Sequence, residues 1–107
     1  MDAKEKLLTR HKLGLCIQKI LKENLENEAK NLVPSLRKLA AASGIEYAII
    51  QKISAGNKDP QWTTVVSLIE GLNLSFPEFF NVYNSITYQE LQMEAEKRKR
   101  KKVKKNK

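Results

Sequence analysis

The sequence predicts an all-α fold of five helices, followed by a further C-terminal helix and a basic tail. Three observations predict it. Apolar residues recur at helical spacing, and no run alternates apolar and polar as a strand would. Glycine and proline are few, four and three in 107 residues. The stretch from Ser35 to Gly56, SLRKLAAASGIEYAIIQKISAG, divides into two short helices at one sharp turn.

The flank 1–12 is charged and weakly patterned, so a frayed start is expected, helical at the earliest from Leu7. Helix 1 is predicted from about Leu13 to Asn24, with Leu13, Ile17, Ile20 and Leu21 on one face. Residues 25–33 contain no Gly or Pro; they either extend helix 1 by a turn or two or form a surface loop. Pro34 blocks an upstream helix from running through, and Ser35 is a good N-cap for helix 2, about Leu36 to Ala42. Gly44 suits a turn that needs positive φ. Helix 3 follows from about Tyr47 to Ala55 and ends near Gly56. Leu39, Ile45, Ile50 and Ile53 mark the inward faces of this pair, and the small Ala40 lets the helices cross closely.

Helix 4 is predicted from about Thr63 to Gly71, with Asn73 as a left-handed cap. Ser75 to Glu78 reads as a capping box, with Pro77 in the first turn, where its missing N–H does no harm. Helix 5 then runs to about Tyr83. Thr87 to Glu90 reads as a second capping box, opening a sixth helix at Tyr88. The globular unit is thus 13–84, the C-terminal helix 85–96, and 97–107 a disordered tail in which like charges repel.

The net charge of +8 is unevenly spread. Nine of the eleven residues from Lys97 to Lys107 are Lys or Arg, while residues 1–96 hold 11 basic and 12 acidic side chains. A near-neutral domain with a basic tail suggests two jobs, groove reading by the domain and phosphate attraction by the tail. The single cysteine, Cys16, excludes an intrachain disulfide. No signal peptide and no apolar run near 18 residues is present, so no membrane association is expected. The expected location is a reducing cytoplasm, in a bacterium beside the nucleoid.

The stretch Ser35–Gly56 resembles the helix-turn-helix of the lambda-repressor-like class, the XRE or Cro/CI family. NKDPQWTTVVSLIEGLNLSFPEFF, Asn57 to Phe80, is similar to that family's fourth and fifth helices, and LGLCIQKI, Leu13 to Ile20, to its first. The resemblance covers roughly Leu13 to Phe80. It implies a transcriptional regulator, a repressor, that enters the major groove of double-stranded DNA with helix 3 and binds as a homodimer on a pseudo-palindrome. By position, Tyr47, Ala48, Gln51 and Lys52 are implied to reach base edges. Lys52 would donate to guanine, Gln51 would pair with adenine, Ala48 would meet a thymine methyl, and Tyr47 offers a hydroxyl. Phosphates would be held by Ser35, Arg37, Asn57, Lys58 and Gln61.

The chain departs from the family at four points. The 25–33 connector is longer than usual. Glu46 places an anion where a small polar cap is usual, and Leu36 stands where many relatives use Gln. Leu21 and Ser54 occupy the positions of a common Arg–Glu pair; losing both partners leaves no orphan charge.

Other constellations are weak. His11 lies outside the matched region and is expected at the surface. Cys16 has no His or Cys partner at ligand spacing, so no metal is expected. Trp62, Phe76, Phe79 and Phe80 suit a core or an interface. No nucleophile–base arrangement or Gly-rich phosphate loop points to an enzyme, and no cofactor is implied. Phe79, Phe80, Tyr83 and Leu91 are more apolar surface than so small a domain readily covers, which points to a dimer contact. The rival readings are an antitoxin that binds a toxin protein, a protein-binding bridging or adaptor factor, and a lysine-tail RNA binder. The RNA reading is disfavoured by the lack of a stacking platform.

Overall fold

The computed structural model describes residues 1–28 and 32–105, with side chains as far as Lys97. Those residues form six α-helices and no strand, as the spacing predicts. They are α1 (Ala3–Asn27), α2 (Leu36–Ser43), α3 (Tyr47–Ser54), α4 (Trp62–Gly71), α5 (Phe76–Ser85) and α6 (Tyr88–Lys105).

The frayed N-terminal flank is corrected: α1 begins at Ala3, so the expected boundary at Leu13 lies inside one helix. The cause is local. Asp2 caps the helix, accepting from the Glu5 N–H at 2.8 Å, and the residues that follow are good helix formers. At its other end α1 runs past Asn24 to Asn27 and closes on Glu28 in the left-handed region, φ 49°. The 25–33 connector therefore begins as helix, and residues 29–31 lie outside the described residues. Asn24 anchors its far side by donating to the Val33 carbonyl at 2.8 Å.

The expected caps of the short helices are present. The Ser35 side chain accepts from the Lys38 N–H, and Gly44 closes α2 with φ 75°. Asn73 follows α4 with φ 59°, and Ser75 and Glu78 complete a reciprocal capping box at α5. Acceptance of the Ser75 N–H holds the Glu78 carboxyl below its usual range. Thr87 accepts from Glu90 N–H as expected, but the Glu90 carboxylate turns instead to Lys19 of α1, at 2.6 Å. That pair ties α6 to the bundle at a partly exposed site, where it adds little stability.

The core draws on every helix from α1 to α5. Cys16, Ile17, Ile20 and Leu21 meet Leu39, Ile50, Ile53, Leu68, Ile69, Leu72 and Phe79, with Ile86 closing the base. Leu13 and Ile45 are half-buried against it. Phe79 is fully buried, and Phe80, Tyr83 and Leu91 pack against the core, so the apolar surface expected for a dimer contact is largely consumed inside the chain. Trp62 and Phe76, by contrast, stand 60% and 42% exposed.

The disordered tail is also corrected, because α6 continues as helix to Lys105. No Gly or Pro interrupts Tyr88–Lys105, and its acids precede its bases, an order that suits the helix dipole. Asn106 and Lys107 lie outside the described residues.

α1 and α3 approach closely at Gly14. A Cβ on Gly14 would fall within 3 Å of the carbonyl oxygens of Ile53 and Ser54. Gly14→Ala should therefore lower stability by about 1–3 kcal/mol through overpacking, although alanine gains up to ~1 kcal/mol in helix propensity. Urea denaturation measures the balance; an unchanged or raised midpoint would show a looser approach. At Gly44 nothing lies within 4 Å of an added Cβ, so only backbone strain acts. Gly44→Val should cost roughly 1 kcal/mol or more, and Gly44→Asn distinctly less, because Asn tolerates this region.

Cys16 offers a pH test. Burial pushes its thiol up to about 12, against the lowering effect of Lys19 and Lys12. Burial also raises Tyr83, with a contribution from Cys16. A raised pKa means that the folded state keeps a proton the unfolded chain releases. Stability should thus be intact below about pH 9 and fall as pH rises towards 12. Denaturation midpoints across that range should drop less steeply in Cys16→Ala.

Candidate nucleic-acid interface

Spacing along α3 decides which side chains face outward. Ile50, Ile53 and Ser54 are buried and Ile49 is half-buried, so the helix rests on that side. Ala48, Gln51 and Lys52 are exposed on the other side, with Tyr47 half-buried at its start. The sequence missed Ile49 and Ser54 as inward residues.

Two elements hold this face. From below, Gln18 of α1 donates its Nε2 to the Ser54 carbonyl at 2.7 Å and approaches Ser54 Oγ at 3.3 Å. This polar tie lies one turn before Leu21, which is buried in the core. From the side, the Arg37 guanidinium of α2 stacks on the Tyr47 ring, 4.4 Å from its centroid. Such a cation–π contact holds Tyr47 against α2 and keeps the Arg37 charge at the same edge. Neither link was legible in the sequence, since each joins separate helices.

The remaining candidates flank α3. Ser35 is half-buried; its Oγ accepts from Lys38 N–H at 3.2 Å, which leaves the hydroxyl proton to donate. Asn57 and Lys58 are exposed in the loop after Gly56, and the Asn57 N–H closes the helix on the Lys52 carbonyl at 2.9 Å. Gln61 occupies the N-cap position of α4, but its side chain makes no cap bond and is exposed. The Glu46 side chain likewise makes no cap bond at the start of α3, so its carboxylate faces solvent. Arg37, Lys38, Lys52 and Lys58 together outnumber Glu46 and Asp59, which gives the exposed side of α2, α3 and the following loop a positive balance.

His11 is corrected from a surface position: it is half-buried and lies over Gly56, where an added Cβ would meet its ring. Gly56 has φ 76°, so both conformation and space favour glycine there. Cys16 Sγ donates weakly to the Phe79 carbonyl at 3.8 Å, inside the core. Among the described residues no cluster of His, Cys, Asp and Glu is placed to hold a metal ion, and no helix is long and apolar enough to cross a membrane. Comparison with known proteins finds no family model, no curated protein and no solved structure that matches this chain.

Proposed function

We propose that this protein is a sequence-specific DNA-binding regulator of the lambda-repressor-like class, which inserts α3 into the major groove. One observation carries the proposal. An eight-residue helix, tied to its neighbours on its buried side, presents Ala48, Gln51 and Lys52 outward, with Tyr47 half-buried at its start. A helix held this way beside a short turn is what major-groove entry requires. Lys52 and Gln51 supply donors for guanine and adenine edges, and Ala48 a methyl for thymine. Ser35, Arg37, Asn57, Lys58 and Gln61 flank that helix as phosphate ligands and set its register. The homodimer is part of the proposal, with Trp62, Phe76, Tyr88 and Met93 among the exposed apolar side chains available for pairing.

Selection of bound duplexes from a random pool, followed by footprinting, tests this reading. An enriched, two-fold-symmetric motif is expected; a pool returned without enrichment rejects sequence-specific binding.

Lys52→Ala should cost about 1–3 kcal/mol on the selected duplex and less on random duplex. Equal losses on both would reduce Lys52 to a phosphate contact. Truncation after Glu96 removes nine cations. Each phosphate contact contributes about 0.9 to the slope of log affinity against log salt, so the slope should flatten by several units. Preference for the selected sequence should survive, because every base-reading candidate is retained.

A further inference from the structure

We propose that Arg37 is the positioning residue for Tyr47: the edge of its guanidinium takes a DNA phosphate while its face fixes the Tyr47 ring, so that backbone anchoring and base selectivity at Tyr47 are coupled. This role rests on the major-groove reading above and gives Arg37 a task beyond holding a phosphate. The two residues open successive helices, Arg37 in the first turn of α2 and Tyr47 as the first residue of α3. Between them the chain turns at Gly44, with φ 75°. The guanidinium carbon lies 4.4 Å from the Tyr47 ring centroid, so the stack bridges that turn. Of the cations on this side, Arg37, Lys38, Lys52 and Lys58, only Arg37 lies over an aromatic ring among the described residues.

The chemistry of the pair allows both tasks at once. A guanidinium is planar and donates hydrogen bonds in its plane, so a ring on one face leaves the N–H groups available. Among the described residues no hydrogen bond or ion pair engages Arg37, and Glu46, next to Tyr47 in the chain, does not neutralise it. The Tyr47 hydroxyl likewise has no hydrogen-bond partner among the described residues. Tyr47 is half-buried, whereas Arg37 is exposed. A phosphate bound at the guanidinium edge therefore holds the ring through the guanidinium face and leaves the hydroxyl as the group free to reach a base. Desolvation by the approaching duplex strengthens such a cation–π contact. Lysine keeps the charge but loses the planar face, so Arg37→Lys separates the two tasks.

Two measurements on the full chain test this. Without DNA, the ring current of Tyr47 is expected to move the Arg37 Cδ proton resonances upfield, and Tyr47→Leu to return them to ordinary values. Unshifted Arg37 resonances in the wild-type chain overturn the proposal. On duplexes carrying the selected motif, each base is then varied for the wild-type chain, Arg37→Lys, Tyr47→Leu and the double variant. Arg37→Lys is expected to cut discrimination at one base position by roughly fivefold, the worth of an exposed cation–π contact, and to leave the salt slope unchanged. Tyr47→Leu should lose discrimination at the same position, and the double variant no more than Tyr47→Leu alone. Arg37→Gln, which lacks the charge, should also flatten the salt slope by about 0.9. Discrimination that is unchanged in Arg37→Lys, lost evenly at all positions, or lost additively in the double variant overturns the proposal while the DNA reading stands. So does an unflattened slope in Arg37→Gln. A wild-type chain that enriches no motif rejects the DNA reading itself, and this role with it.

Discussion

The closeness of α1 to the end of α3 is the constraint on which the exposed face depends. Gly14 lets the α1 backbone reach the carbonyls of Ile53 and Ser54, and Gln18 turns that proximity into a hydrogen bond. Ile17 and Ile20 fill the space around it together with Ile50 and Ile53. An eight-residue helix has almost no stability of its own in water. The angle at which α3 stands is therefore imposed by α1, while α2 steadies the open end through Arg37 and Tyr47. A recognition surface on so short a helix is only as well defined as these supports.

Chain reversals are handled by a separate device. Glu28, Gly44, Gly56 and Asn73 all take positive φ where a helix gives way to a connector. At Gly44 the requirement is purely conformational, since the space beside it is open. At Gly56 conformation and packing coincide, because His11 occupies the volume a side chain would need. The difference explains how two glycines of similar φ answer to different neighbours, one to the backbone alone and the other to α1.

Charge is arranged along the chain as well as across its surface. The near-neutral part ends on α6, whose acids come first and whose bases come last. Repulsion among the basic residues opposes helix formation, but the order of charge along the helix dipole acts the other way. The Lys19–Glu90 pair joins the start of this helix to α1. The basic segment thus continues a helix tied to the bundle, which constrains where its charge is carried relative to the domain.

How much was legible follows from the range of each interaction. Short-range chemistry could be read directly: the caps at Ser35 and Ser75, the left-handed Gly44 and Asn73, and the outward face of α3 all depend on residues within about one turn of each other. The early start of α1 has an equally local cause, the Asp2 cap, but the apolar pattern over residues 1–12 is too weak to show it. The continuation of α6 is not legible from local sequence, because like-charge repulsion opposes helix propensity and charge order along the same segment. Of the candidate site, the sequence determined which side chains α3 turns outward, because 3.6-residue periodicity and a buried Ile50 and Ile53 leave no other face for Gln51 and Lys52. Only the tertiary structure decided that Gln18 would meet Ser54, that Arg37 would cover Tyr47, that Phe79 would be buried and Trp62 left in solvent. Those outcomes depend on distances between helices remote in the chain, which are set by the packing of the whole core rather than by any local pattern of residues.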